Sequence, residues 1–432
     1  MEEQLRIKKF IRIDNSLQDK SVIVSGWIED IRLIGSLMFV ILRDSSGVLQ
    51  LVVKKNKINI ELWDIIQKIP RQSTVIASGK LCTNTQNKNL ELHVTKMQLI
   101  GKAIHPLPLD PTGRVDSGLD IKLDYRPLEL RKPETRAVFK LKWHSLNYIR
   151  QFFNENDFME INTPKILSQG AEGGATLFQL KYFNKHGYLA QSPQLYKEQL
   201  MLAFERVYEI SNYFRAEKSH TTRHLNEFLS VDFEWVFQNN EETMDLCEQL
   251  IKYTINLLKK NCPEELQLLS SNLDDFSSKF PRITYDEIIK TLNQLENNKK
   301  YGDDITEHDL VVLNKKYNSF YFIIDWPTKI KPFYISSYDD SELCKSFDFQ
   351  FGNIELASGG VRIHDRHELE TNIKNSGLDV ANFKSHIQTF DWGMPPHSGL
   401  GLGFDRLMMV LSNRKNIRDV VLYPRDQYRL EP

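Results

Sequence analysis

Cysteine is scarce in this chain: four in 432 residues, Cys82, Cys247, Cys262 and Cys344. No two of them form a C-x-x-C pair, so neither a structural zinc site nor a disulfide framework is expected, and a reducing cytoplasm suits the chain best. Long apolar runs are also missing. No stretch approaches the roughly eighteen apolar residues of a membrane-spanning helix, so no membrane partner is expected. Residues 1–16 mix Glu2, Glu3, Arg6, Lys8 and Lys9 with scattered apolar side chains, so no secretory signal is expected. Net charge is nearly absent at −1, which by itself points to no polyanionic partner. Its distribution is uneven, however. Residues 1–100 carry 15 Lys+Arg against 10 Asp+Glu, and the remainder 41 against 47. A basic N-terminal segment on a mildly acidic body fits a nucleic-acid-binding module joined to something else; chance variation in surface charge fits it too.

What is present is a globular composition, 41% hydrophobic and 26% charged, over a length that calls for two or three domains. Residues 20–101 read as five short strands: Ser21–Trp27, Met38–Leu42, Val48–Val53, Ser73–Ser78 and Glu91–Leu99. Turn signals such as Gly35-Ser36 and Asp44-Ser45-Ser46-Gly47 separate them, and Asn59–Ile69 reads as a helix between the third and fourth. Five strands and one helix suit a small Greek-key barrel of the OB type, or another small β-barrel. A proline-punctuated stretch, His105 to Gly113, reads as a linker, and Asp124 to Pro133 completes a hinge. Residues 134–157 then read as a long amphipathic helix, with Val138, Leu141, Trp143, Leu146, Ile149, Phe152 and Phe153 at three- and four-residue spacing. Arg206–Arg215 and Asn226–Phe237 read as strands flanking a polar loop. On the second, Leu229, Val231, Phe233 and Trp235 face one way, and Phe228, Ser230, Asp232 and Glu234 the other. A helix is expected over 241–260 and another over Asp405–Leu411. Residues 262–340, rich in Asn, Lys and Asp, read as an insertion.

Four constellations carry chemistry. Arg215 and Glu217, then Arg223, His224 and Phe228, flank one loop; paired arginines suit phosphate oxygens, although a solvent-facing charged hairpin has the same residues. Gly399-Leu400-Gly401-Leu402-Gly403-Phe404-Asp405-Arg406 is a glycine-rich strand that allows close approach to a ligand, without Walker or dinucleotide spacing. Asp348 and Glu355, seven residues apart, converge if Phe351-Gly352-Asn353 turns a hairpin, and would suit Mg²⁺; two surface acids read the same. Gln191-Ser192-Pro193-Gln194-Leu195-Tyr196-Lys197 says nothing alone.

Taken together and in this order, these stretches resemble the class II aminoacyl-tRNA synthetases, over about Val22 to Pro432. The helix running into Phe158-Met159-Glu160-Ile161-Asn162-Thr163-Pro164 looks like that class's first motif, the Arg215–Phe228 hairpin like the second, and Gly401–Arg406 like the third. An N-terminal OB barrel points to the aspartate, asparagine and lysine subgroup. Gly170-Ala171-Glu172-Gly173-Gly174, the Tyr188–Lys197 stretch, Met394-Pro395-Pro396-His397 and Tyr423-Pro424-Arg425-Asp426 resemble the archaeal and eukaryotic type of aspartate–tRNA ligase. The resemblance implies an α+β fold: an OB-fold anticodon-binding domain over 1–102, a hinge over 103–133, and a catalytic domain over 134–432 built on an antiparallel sheet flanked by helices.

It also implies residue roles. Arg215 and Arg406 would be the catalytic pair. Arg215, Glu217, Arg223, His224, Leu225, Phe228, Glu355, Gly403, Phe404, Asp405 and Arg406 would bind ATP. Asp348, Glu355 and Ser358 would hold Mg²⁺. Glu172, Gln194, Lys197, Arg215, Ser358 and Arg362 would bind L-aspartate. Asparagine would leave Lys197 and Arg362 as two buried cations without a counter-charge, a cost of several kcal/mol. In the barrel, Phe39 would stack on an anticodon base, with Arg32, Gln50 and Glu91 as polar contacts. The family implies a homodimer built on the long first-motif helix. Glu29, two after Trp27, departs from both residues the family commonly places there, which leans the expectation toward charging asparagine tRNA as well as aspartate tRNA. Competing readings are an asparagine–tRNA ligase, against which Lys197 argues; a synthetase-like enzyme making asparagine, which would lack the barrel; and a non-catalytic tRNA-binding paralogue, which would be expected to lose Arg215, Arg406 or the acids.

Overall fold

The computed structural model describes all residues except 1–4, 8, 85–88, 169–176, 220, 274–275, 296–297 and 340. It divides into two compact units, residues 1–117 and 118–432. In the first, after a two-residue strand at Leu5–Arg6, five longer strands follow one another: β1 (Ser21–Ile34), β2 (Leu37–Arg43), β3 (Val48–Lys54), β4 (Thr74–Thr83) and β5 (Leu90–Gly101). Every second side chain is apolar and buried, as with Val22 and Val24 on β1, Met38, Val40 and Leu42 on β2, and Leu49, Leu51 and Val53 on β3. The sheet closes because β1 pairs with both β2 and β4, β3 runs parallel to β5, and β5 returns against β4. This is the OB arrangement. Helix α1 (Ile60–Gln67) enters between β3 and β4; the Asn59 side chain accepts from Leu62 N–H at 2.7 Å, and Trp63 and Ile66 are buried. β1 runs seven residues past its expected end at Trp27, because a bulge between Ile28 and Asp30 carries the strand on against β2.

The second unit is built on an eight-stranded sheet: β6 (Met159–Glu160), β7 (Arg206–Phe214), β8 (Glu227–Val236), β9 (Arg282–Thr284), β10 (Phe320–Pro327), β11 (Leu343–Phe351), β12 (Ile354–Val361) and β13 (His397–Gly403). Its order is β9-β10-β11-β12-β13-β8-β7-β6. The six strands from β10 to β7 are antiparallel, and only the outermost pairs, β9–β10 and β7–β6, are parallel. Among the unit's helices are α2 (Pro133–Glu155), α3 (Gln194–Gln199), α4 (Asn240–Asn261), α5 (Glu307–Leu313) and α6 (Phe404–Leu411), with others before and between them.

α2 starts on a proline, whose missing N–H costs nothing in a first turn. It buries Val138, Leu141, Ile149, Phe152 and Phe153 in one core with α4, α6 and the Val231, Phe233 and Trp235 face of β8. Phe153 is its keystone: its ring lies 4.5 Å from Tyr208, 5.2 Å from Phe158 and 5.8 Å from Phe233. Trp143, grouped with this stripe in the sequence, is 59% exposed instead. β10 is apolar on both faces: Phe320 and Phe322 join this core, while Tyr321 and Ile323 join a second one. The stretch 262–340, read as an insertion, therefore supplies β9 and β10 to the sheet, and α5 besides. Phe153→Ala should destabilise the catalytic unit by about 3–5 kcal/mol, seen as a lowered denaturation midpoint.

Candidate active site

β8 sends Val231, Phe233 and Trp235 into the core and turns Phe228, Ser230 and Asp232 toward a cavity of about 290 Å³. The period-two alternation of that strand thus separates packing from chemistry. The residues singled out from the sequence that line the cavity are Gln194, Arg215, Glu217, Arg223, His224, Leu225, Phe228, Glu355, Ser358, Arg362, Gly403, Asp405 and Arg406. Three others stand apart. Lys197 is buried beneath the cavity and Asp348 behind it. Phe404 departs from its expected place at the nucleotide: α6 is amphipathic, and its first residue turns the ring wholly into the core. Glu172 lies outside the described residues.

The hairpin between β7 and β8 carries the arginines. The Asn226 side chain donates to the carbonyls of Arg215 (2.7 Å) and Glu217 (2.9 Å), tying the outgoing arm to the incoming one. The Arg215 guanidinium stacks over the Phe228 ring at 5.4 Å. Arg223 donates to Asn353 O at 2.6 Å. Arg406, from the first turn of α6, donates to the carbonyls of Glu355 (3.0 Å) and Arg223 (3.4 Å). Burial, then the charge of Arg406, lowers the pKa of His224, so it serves as a neutral hydrogen-bonding group. Its Nδ1 meets Thr221 Oγ1 at 2.6 Å, and Glu307 of α5 approaches to 3.5 Å. Asp405 is committed to structure: it accepts from Leu229 N–H (2.8 Å) and from Lys142 (2.6 Å).

The hairpin expected at Phe351-Gly352-Asn353 is present as the β11–β12 turn, with Gly352 at φ +54°. It sets Asp348 opposite Ser358. Asp348 Oδ2 pairs with Lys331 at 2.7 Å, while Oδ1 is buried with no donor among the described residues. Glu355 keeps 45% of its side chain exposed at the cavity, and its pKa is raised, first by the desolvation of its site and then by the Asp348 charge. Among the described residues no three His, Cys, Asp or Glu side chains converge as a metal cage. Two carboxylates crowded together, one with an unpartnered oxygen, are nevertheless a donor set that suits Mg²⁺ completed by phosphate oxygens.

The end of the cavity expected to take the amino acid holds the largest departure from expectation. Lys197 and Arg362 are not two uncompensated cations. Lys197 lies 3.3 Å from Asp232 and 3.4 Å from Glu234, and donates to Leu400 O at 3.0 Å. Arg362 grips Glu234 through Nε (2.9 Å) and Nη2 (3.3 Å), with the Tyr334 ring 5.4 Å away. Two anions therefore already balance two cations, and Arg362 is the cation that reaches the cavity wall. Burial works against the Arg362 charge, but Glu234 outweighs it and keeps the guanidinium ionised. For Asp232 burial wins over Lys197 and Ser230, and its pKa is raised. The glycine-rich strand makes this packing possible. A Cβ at Gly399 would collide with Phe233 O and the Glu234 carboxylate, and one at Gly401 would sit 2.9 Å from Asp232 Oδ1. The close approach that the glycines allow is thus to buried carboxylates.

Sequence reasoning assigned no role to Asp232, Glu234, Lys331, Tyr334 or Glu307. The first two carried a signal, the polar face of β8. The others come from 307–334, where nothing local marks them. In the barrel, Gln50 donates to Glu91 at 2.9 Å, and Glu91 also meets Asn84 (2.8 Å) and His93 (3.0 Å). Phe39 stays half-buried outside the barrel core, opposite Arg32, which is exposed and paired with Asp30 at 2.9 Å. Glu29, at the bulge, is held by Arg43 at 2.7 Å.

Residues 118–427 match the model for class II tRNA synthetases (D, K and N), and 22–100 match that for the OB-fold nucleic acid binding domain. The chain is 40% identical to the aspartate–tRNA(Asp) ligase of Pyrococcus abyssi, over 99% of this chain and 100% of that one. It is 38% identical to the aspartate–tRNA(Asp/Asn) ligase of Methanococcus vannielii, over 96% of each. The solved asparaginyl-tRNA synthetase of Pyrococcus horikoshii, complexed with asparaginyl-adenylate, superposes with a TM-score of 0.92 at 30% identity, covering 100% of both chains. A barrel of OB topology, a mainly antiparallel sheet with a cavity lined by Arg215, Arg223, Arg362 and Arg406, and full-length kinship agree: the chain belongs to the class II aminoacyl-tRNA synthetases of the aspartate, lysine and asparagine group, and within it to the archaeal-type aspartate–tRNA ligases.

Proposed function

We propose that the chain activates L-aspartate with ATP and transfers it to the 3′ end of aspartate tRNA, with asparagine tRNA as a second acceptor. The observation that carries this reading is the cavity itself, which has arginines at the nucleotide end and the Lys197–Asp232–Glu234–Arg362 network at the other. In the first step the aspartate α-carboxylate forms a bond to the α-phosphorus, and the bond to the β-phosphate oxygen breaks, releasing pyrophosphate with the electron pair. The reactants are both anions, so the protein's task is to hold them in line and neutralise their repulsion; no nucleophilic side chain is required. Arg215 bridges the α-phosphate and the carboxylate. Phe228 and Arg406 enclose the adenine, whose amino group Glu217 accepts. Leu225 and Gly403 line the nucleotide end, and Arg223 and neutral His224 take the outer phosphates. Asp348, Glu355 and Ser358 are the residues that would hold Mg²⁺, which supplies charge neutralisation on the phosphates. In the second step the terminal ribose hydroxyl of tRNA attacks the acyl carbon, and AMP leaves.

Gln194 takes the substrate ammonium group, Ser358 lies beside the α-carboxylate, and Arg362 takes the side-chain carboxylate while Lys197 supports it from below. The OB unit reads the anticodon, with Phe39 as the stacking surface and Arg32, Gln50 and Glu91 as polar contacts. Two copies pair through the outer face of α2, where Trp143 stands 59% exposed, together with Met159 at 49%. A cytoplasmic setting, where tRNA is charged, goes with this reading. No helix is long and apolar enough to cross a membrane among the described residues.

Lys197→Leu should lower aspartate-dependent ATP–pyrophosphate exchange by at least about 100-fold, because it strands buried Asp232, while the dissociation constant for ATP changes less than about twofold. Exchange near the wild-type rate would refute the specificity assignment. Phe39→Ala should raise KM for tRNA about tenfold and leave exchange untouched, since one stacked base is at stake. Aminoacylation of purified aspartate and asparagine tRNAs should proceed with both; an uncharged asparagine tRNA would end the relaxed reading and leave the aspartate assignment standing.

A further inference from the structure

Glu198 lies one turn after Gln194 on α3 and is completely buried. Its Oε1 accepts a hydrogen bond from Gln194 Nε2 at 2.5 Å. Its Oε2 faces two imidazoles, His386 Nε2 at 3.4 Å and His397 Nε2 at 3.9 Å. Both rings are held from behind: Gln199 Nε2 lies 3.3 Å from His386 Nδ1, and His397 Nδ1 lies 2.7 Å from Pro395 O. An amide N–H donating to His386 Nδ1 fixes the ring's own proton on Nε2, the nitrogen nearest Glu198, although among the described residues neither that nitrogen nor Glu198 Oε2 completes a hydrogen bond. Burial alone would raise the Glu198 pKa, but the two histidines outweigh it and hold the carboxyl far below the usual carboxylate range. The group is an ionised carboxylate, able only to accept.

An acceptor-only neighbour dictates how a glutamine amide lies. Gln194 must turn its NH₂ to Glu198, so its carbonyl oxygen is left for the cavity it lines. We infer that Glu198 is a positioning residue: it locks the Gln194 amide with the oxygen toward the ammonium group of the amino-acid substrate. A side chain at 198 that both donates and accepts would let the amide take either orientation, one of which turns NH₂ against that cation. The inference rests on the reading of this cavity as the aspartate site.

Glu198→Gln, nearly isosteric, is the test. The KM for aspartate in pyrophosphate exchange should rise about tenfold, the scale of one hydrogen bond to a charged group, while kcat and the KM for ATP change less than about twofold. Inhibition by succinate, which has both carboxylates but no ammonium group, should be unchanged; this also shows that the pocket is intact. Glu198→Asp, which keeps the charge but falls short of the amide, should reproduce the effect if the glutamine variant is unstable. In a Gln194→Ala background, Glu198→Gln should add nothing, because its action runs through the amide. An unchanged KM for aspartate in Glu198→Gln, or equal weakening of aspartate and succinate, overturns the positioning role. If Gln194→Ala itself leaves the KM for aspartate unchanged, the placement of the ammonium group fails instead, and with it this reading of the cavity.

Discussion

Four charges sealed beneath one end of a cavity, Lys197, Asp232, Glu234 and Arg362, constrain the rest of the catalytic unit. Each is at most 3% exposed, so each has lost its water and must be answered by protein. A buried ion pair returns its desolvation cost only when the geometry is good and the remaining donors and acceptors are satisfied. Here the bidentate grip of Arg362 on Glu234, the bond from Lys197 to Leu400 O, and the Ser230 hydroxyl on Asp232 meet that condition. The network also dictates backbone. Only glycine at 399 and 401 lets β13 lie close enough against the carboxylates of β8. A strand that looks built for a ligand is thus built first for its own counter-ions, and on the proposed reading the amino-acid side chain meets a fixed pattern of paired charges rather than bare positive potential.

The nucleotide end follows a looser logic. Arg215, Arg223 and Arg406 come from the two arms of one hairpin and the first turn of α6; Arg223 and Arg406 are anchored on backbone carbonyls, and Arg215 stacks over Phe228. Glu355 lies 3.8 Å from Arg406, and Glu307 acts on the Arg223 charge. The three guanidiniums suit a site that must draw in a polyanion. On the proposed reading the two ends differ as their substrates do: a buried network of paired charges faces one side chain, and partly open cations beside two acids face a triphosphate.

Most of the fold was readable in the sequence. Period-two burial gave the barrel strands and the two faces of β8, and period 3.6 gave α2, α4 and α6. The failures share a cause: contacts between distant segments. Nothing local in 262–340 reveals that Phe320–Ile324 will be covered on both sides, so a central strand looked like part of an insertion. Trp143 fitted the apolar stripe of α2, but the structure covers a narrower arc. Phe404 sits within a motif of ligand-facing residues, yet a helix start turns alternate side chains apart, and its ring went to the core. The pairing of Lys197 and Arg362 with Asp232 and Glu234 depends on register between β8 and β13, which composition does not encode. The motifs named residues that the structure gathers around one cavity, because motifs are short and local; the cavity's charge balance was hidden because it is neither.

The central claim is that this buried network recognises an acidic side chain. The direct measurement is ATP–pyrophosphate exchange by the purified protein with each of the twenty amino acids supplied singly. The account predicts exchange with aspartate and a rate at least about tenfold lower with asparagine, because a neutral amide gives Arg362 at the cavity wall no charge-assisted partner. Equal or faster exchange with asparagine, or none with aspartate, would contradict it.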